Sequence, residues 1–168
     1  MDSRTAIVFG ATGLIGRSLV EELCLSEEYT LIKLFVRNRA GFSCAEKIKE
    51  FIVDFDNLSK HADMISGDDL YIALGTTIRK AGSVKKMEEI DRDLPVRIAS
   101  IASANRVPRL AVVSSIGADA SSRNYYLRIK GEMEKAILGF NFKCIAVLRP
   151  SLLLGKRDEK RFGENAGK

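Results

Sequence analysis

Short runs rich in Val, Ile, Leu and Phe recur at 5–11, 30–37, 50–55, 69–75, 109–115 and 143–149. Most are continuously apolar rather than alternating, the pattern of parallel strands covered on both faces. Longer stretches with helical spacing separate them. Ile15, Leu19 and Leu23 form one stripe, Leu94, Ile98, Ile101 and Ala102 a second, and Tyr126, Ile129, Met133 and Ile137 a third. Asp93 is placed to N-cap the second helix, with Pro95 tolerated in its first turn. Gly139 is placed to close the third. The connection over 56–66 is only weakly helical. Strands joined by helical crossovers predict an α/β fold: a doubly wound parallel Rossmann sheet of about six strands, ordered 3-2-1-4-5-6, in three layers α/β/α. The domain is expected to occupy 1–155. The polar tail over 156–168 adds no core element and reads as a disordered end or the stump of something longer.

Composition narrows the class. With 168 residues, 46% hydrophobic and 29% charged, the chain can bury roughly 70% of its unfolded surface without disulfides or metal. The net charge is +5, but the basic residues mix with acids, as in Lys85-Lys86-Met87-Glu88-Glu89 and Lys156-Arg157-Asp158-Glu159-Lys160-Arg161. Such runs read as solvated faces rather than a nucleic-acid surface. No apolar run approaches a membrane span, and the start of the chain leaves no room for a signal peptide. Cys24, Cys44 and Cys144 are odd in number and widely spaced, and His61 is the single histidine. That excludes the usual zinc spacings, so no metal is expected, and it favours free thiols in a reducing compartment. A cytoplasmic location is therefore expected, with a small-molecule substrate, no nucleic-acid or membrane partner, and a monomer or homodimer.

The first strand runs directly into Gly10-Ala11-Thr12-Gly13-Leu14-Ile15-Gly16, and a helix follows at once. In that context spaced glycines have a chemical purpose. The first permits the tight turn, the second lets backbone approach a pyrophosphate, and the third lets helix and sheet pack closely. The helix N-terminus then offers N–H groups and positive dipole to the phosphates.

Strand two bears on the choice of dinucleotide. An NAD site usually carries an acid about 20 residues on, for the ribose 2′-hydroxyl, whereas an Arg accommodates a 2′-phosphate. Here the strand ends Val36-Arg37-Asn38-Arg39, with no acid. Arg37 can form charge-assisted bidentate bonds to that phosphate, so NADP(H) is preferred over NAD(H); the competing reading makes Arg37 and Arg39 solvent-facing turn residues. Asp54 and Phe55 end strand three where an adenine edge would rest, although Asp54 serves equally well as a cap for the next turn. Leu74, Gly75 and Thr76 end strand four, at the topological switch point beside the ribose.

Strand five ends Ser114-Ser115, and Tyr126-Leu127-Arg128-Ile129-Lys130 follows on the next helix. Residues four apart share a helix face, so Tyr126 and Lys130 project together. An ammonium beside a phenol favours the phenolate, which suits the phenol to exchange a proton while hydride moves to or from a carbonyl carbon. Ser115 would hold the substrate oxygen. Tyr-x-x-x-Lys alone also describes an ordinary helix surface; its position just after Ser-Ser supports the catalytic reading. Tyr125 has no lysine four residues on, and its spacing to Ile129 suits packing.

The glycine loop, Leu74-Gly75-Thr76-Thr77 with Lys80-Ala81-Gly82-Ser83, and Ser114-Ser115-Ile116-Gly117-Ala118-Asp119 together resemble the atypical short-chain dehydrogenase/reductases. Tyr126 to Glu134, followed by Leu148-Arg149-Pro150, is similar to the subgroup typified by the HIV Tat-interacting protein. The resemblance covers nearly the whole chain in order. It implies NADPH binding, a catalytic set of Ser115, Tyr126 and Lys130, and a nicotinamide-side loop at Arg149-Pro150-Ser151. It implies an oxidoreductase acting on a small carbonyl or alcohol, or alternatively a regulatory or redox-sensing protein that holds NADPH without turnover.

Overall fold

The computed structural model describes residues 3–44 and 46–151. The polar tail expected over 156–168 lies outside the described residues. Parallel strands form a sheet in the order β3-β2-β1-β4-β5-β6, as the crossover pattern predicts. The strands are β1 (Arg4–Phe9), β2 (Tyr29–Val36), β3 (Ile48–Ile52), β4 (Asp69–Ile72), β5 (Arg109–Val113) and β6 (Cys144–Leu148). The central register pairs Val8 with Leu34 on one side and with Tyr71 on the other. Buried on both faces, β1 ends in four consecutive buried residues, which is why its hydrophobicity is continuous rather than alternating.

Successive strand residues point to opposite faces, and this splits the core in two. Ala6, Val8, Ile32 and Leu34 face α1 (Leu14–Leu25), where Val20 and Leu23 complete the cluster. Ile7, Phe9, Leu70, Ile72, Leu110 and Val112 face the other layer. Three further elements cover that side: a 3-10 helix (Phe55–Met64), α4 (Leu94–Ala104) and α5 (Tyr125–Ile137). The rings of Phe9, Phe35 and Phe51 stack in series across β1, β2 and β3, with centroids 4.7 and 5.0 Å apart.

Between β4 and α4 the chain forms α2 (Ile78–Ala81), α3 (Val84–Glu88) and a π-helical segment (Glu89–Asp93). This corrects the expected start of α4. Asp93 has helical φ and ψ and makes no capping bond; its carboxylate pairs with Arg92 instead. The helix simply continues through the π turn, so there is no free N-terminus to cap. At the other end, α5 closes on Leu138 rather than on a left-handed Gly139.

At the amino ends of the strands, opposite the glycine loop, Asp69 accepts bonds from Arg4, Arg109 and Tyr29. Burial works to raise its carboxyl, but the bonds from Arg109, Arg4 and Tyr29 outweigh it and hold Asp69 below the usual range. The free-thiol expectation is corrected for two of the three cysteines, while Cys144 is free and exposed. Cys24, on α1, and Cys44, beyond β2, are joined in a disulfide with Cα atoms 6.1 Å apart, a spacing that their positions on the two elements create and that sequence separation conceals.

Candidate active site

The loops after β1, β4 and β5 emerge at one edge of the sheet, the carboxyl end where doubly wound proteins hold ligands. Gly10 has φ +88°, and a Cβ there would sit 2.4 Å from the carbonyl oxygen of Ala73. Only glycine meets both demands. Its carbonyl accepts from the Gly13 N–H at 3.0 Å, which closes the turn. Gly16 lies against the same carbonyl, and a Cβ would approach it to 2.0 Å. Gly13, the N-cap of α1, is exposed and brings no capping side chain. The first turn of α1 thus has no side-chain cap and adjoins a tight turn of glycine backbone, a cradle that fits a pyrophosphate. Around it, Ala11 is buried, Thr12 is exposed, and Leu14 and Ile15 are half-buried.

Arg37 and Arg39 are exposed just beyond β2. The segment they open is tied back to α1: the Arg17 guanidinium lies over the Phe42 ring at 5.0 Å and reaches the Ala40 carbonyl, and the Cys24–Cys44 bridge anchors its far end. Asp54 is exposed and caps the 3-10 helix, accepting from the Asp56 N–H at 3.0 Å and the Asn57 amide at 2.6 Å. Those bonds hold its carboxyl below the ordinary value. Its side chain is thus engaged in the turn, the second of the readings open from sequence. Phe55 is half-buried and packs tilted against Phe9, so its ring contributes to the core.

On the catalytic side, Asn124 caps α5 by accepting from the Leu127 N–H. Tyr126 is half-buried in the first turn, and Lys130 is buried one turn on. Ser115 donates to the carbonyl of Ile116. Its neighbour Ser114 is buried, with no hydrogen-bond partner for its Oγ among the described residues. A Cβ on Gly131 would lie 2.1 Å from the Ala120 nitrogen; this close approach seats the Ser115 loop against α5. Tyr125 is raised above the ordinary phenol value by burial and by the nearby Glu88 carboxylate.

Lys130 has a partner that sequence reasoning missed. Its Nζ lies 2.8 Å from Asp91 Oδ1, with the two side chains 3% and 0% exposed. The approach has ion-pair distance without hydrogen-bond geometry. The other carboxylate oxygen accepts the backbone N–H of Thr76 at 3.0 Å. A signal was present in the sequence: Asp91 falls on the apolar stripe of Met87, Leu94, Pro95 and Ile98, all buried. Of the β4 loop, Leu74 packs on the core and Gly75 is exposed. Arg149 is exposed and paired with the buried Glu134, its Nε 3.0 Å from Oε1, and that carboxylate raises it above the usual guanidinium value. The charge expected to face a nicotinamide is therefore shared with α5. Among the described residues no group of three or more His, Cys, Asp or Glu is placed to hold a metal, and no helix is long and apolar enough to cross a membrane.

Fold and loop together define a dinucleotide-binding Rossmann protein. A model of the NAD(P)H-binding family matches residues 10–155, and the chain belongs to that family, alongside relatives named HTATIP2 and FMP52. It is 33% identical to rat HTATIP2 over 98% of this chain and 69% of that protein. It is 36% identical to FMP52 of Candida glabrata, over 98% and 71% respectively, and 34% identical to FMP52 of Saccharomyces cerevisiae. Among solved structures, the oxidoreductase ylbE from Lactococcus lactis matches with TM-score 0.71 and 17% identity, over 91% of this chain and 71% of that one. MoeE5 in complex with UDP-glucose and NAD matches with TM-score 0.70 and 17% identity; 86% of this chain is covered, but only 53% of MoeE5. These structures share the fold. The expectation of a cytoplasmic location is overturned, because the FMP52 relatives are named as mitochondrial proteins.

Proposed function

We propose that this NAD(P)H-binding, oxidoreductase-like protein prefers NADP(H) and reduces a small carbonyl, or oxidises the corresponding alcohol. The observation that carries the reading is the linkage across the carboxyl edge of the sheet. The β4 loop is bonded through Asp91 to Lys130, one helical turn from Tyr126. Cofactor-side backbone and a phenol with a nearby cation thereby belong to one connected unit. Gly10 to Gly16 would hold the pyrophosphate at the N-terminus of α1, and Arg37 would take the 2′-phosphate by charge-assisted bonds. The nicotinamide, when bound, supplies the hydride. Tyr126 would give the substrate oxygen its proton, Lys130 would stabilise the phenolate that remains, and Ser115 would orient that oxygen.

The test is NADPH oxidation against a panel of small aldehydes and ketones, with cofactor affinity measured in parallel. Turnover should fall at least a hundredfold in Tyr126→Phe with NADPH affinity preserved, and Arg37→Ala should weaken NADPH about tenfold while leaving NADH within twofold. Unchanged turnover in Tyr126→Phe removes the catalytic assignment. Tight NADPH binding with no turnover across the panel marks a regulatory or redox-sensing protein instead.

A further inference from the structure

We infer that Asp91 is a positioning residue, a single buried carboxylate that locks the Lys130 ammonium and the Thr76 amide into one register; this rests on the reductase reading of Lys130. Asp91 is completely buried, and a carboxylate in that setting persists only when its charge and lone pairs are met. Its two oxygens are divided between two elements. Oδ1 faces Lys130 on α5, and Oδ2 takes the Thr76 N–H in the loop after β4. The loop and the helix come from separate strand–helix units, and Asp91 lies between them on a third element, the π-helical segment Glu89–Asp93.

The local geometry supports a placed function rather than incidental packing. π turns are rare and occur frequently at functional sites. On either side of Asp91 the helix behaves as an ordinary amphipathic surface: Met87 and Leu94 are buried, and Arg92 faces outward to Glu88 and Glu132. Those two carboxylates and that of Asp93 hold Arg92, so the carboxylate that reaches Lys130 is the one on the apolar stripe. Lys130, itself 3% exposed, has its charge offset at one point, and its ammonium cannot move without breaking that contact. The same carboxylate holds the backbone of Thr76, so displacement of the β4 loop and displacement of the lysine are one event.

Two substitutions separate the two bonds. Asp91→Asn removes the charge facing Lys130 but keeps an oxygen for the Thr76 N–H; Asp91→Ala removes both. In Asp91→Asn, kcat is expected to fall about tenfold or more with NADPH Kd within about threefold of the parent. In Asp91→Ala, Kd should also weaken about tenfold, and amide hydrogen exchange in the peptide spanning 74–82 should accelerate about tenfold. A purely structural contact would lower Tm in both without this split. In a Lys130→Met background, Asp91→Asn should change kcat less than twofold, the signature of a group that acts through the lysine. Equal kcat losses from Asp91→Asn with and without Lys130 overturn the inference.

If the single substitutions do not fold, the double variants remove both buried charges together. Asp91→Asn/Lys130→Met should then bind NADPH about tenfold more tightly than Asp91→Ala/Lys130→Met, and equal affinities overturn the clamp. The exchange and binding measurements need no turnover. A parent chain inert on every carbonyl therefore counts against the reductase reading, while unchanged exchange in Asp91→Ala counts against Asp91.

Discussion

Gly131→Ala sets two physical effects of opposite sign against each other. Gly131 lies inside α5, where alanine is the better helix former by about 1 kcal/mol, so propensity alone predicts stabilisation. The structure predicts the reverse. A Cβ at this position would sit 2.1 Å from the Ala120 nitrogen, 2.3 Å from the Asp119 carbonyl carbon and 2.7 Å from the Asp119 Cα. All three are backbone atoms, with no flexible side chain to turn aside, so the helix or the loop must retreat by roughly an ångström to restore contact distance. Overpacking of this kind costs about 1–3 kcal/mol, and rigid backbone places it at the upper end. Subtracting the propensity gain leaves a net loss of about 2 kcal/mol, or a Tm lower by about 4–8 °C for a chain of this size. The displaced loop is the one that begins at Ser115, whereas α1 and the glycine loop pack on the opposite face of the sheet. Thermal melting combined with NADPH titration should accordingly show a lower Tm, turnover reduced about tenfold, and cofactor Kd within about twofold of the parent. A Tm that rises in Gly131→Ala would show that the loop yields at no cost and would refute the tight seating of Ser115 against α5.

Gly16→Ala places a Cβ 2.0 Å from the Gly10 carbonyl, and calorimetry should find NADPH binding weakened at least a hundredfold; parent-like affinity would mean that the turn is not the phosphate cradle. Asp69 predicts an acid-linked stability. Its folded carboxyl is depressed from an ordinary value of 3.8, so its contribution is full above that value and is lost as pH falls through the lower folded value. Urea unfolding of Asp69→Asn should show a loss of about 2 kcal/mol at pH 7, discounted from a fully buried pair because Arg4 and Arg109 reach solvent. The gap between variant and parent should narrow as pH drops below about 4, and a gap that stays constant with pH would contradict the network.

What was legible in the sequence was governed by short-range rules. Continuous apolar runs such as Ala6 to Phe9 revealed parallel strands, and their alternation with helices, the doubly wound pattern, supplied the order. Gly10 and Gly16 were legible because a turn between strand and helix admits few residues. The misreadings arose where a local signal met a tertiary partner. Asp93 beside Pro95 has the local chemistry of a cap, but the helix passes through it. Cys24 and Cys44 meet across 20 residues, a proximity set by how α1 lies on β2. The buried ion pairs carry a usable marker. Asp91, Lys130 and Glu134 are charged residues at buried positions of their helices, the first beside Met87 and Ile98, the other two beside Ile129, Met133 and Ile137. A charge on an apolar stripe must be offset inside the fold, so the pattern announces that an ion pair exists without saying with whom. Lys130 and Asp91 satisfied each other, and Glu134 drew in Arg149. By that marker Asp91 is legible from sequence, because it is the acid that falls on the apolar stripe between the β4 loop and α4.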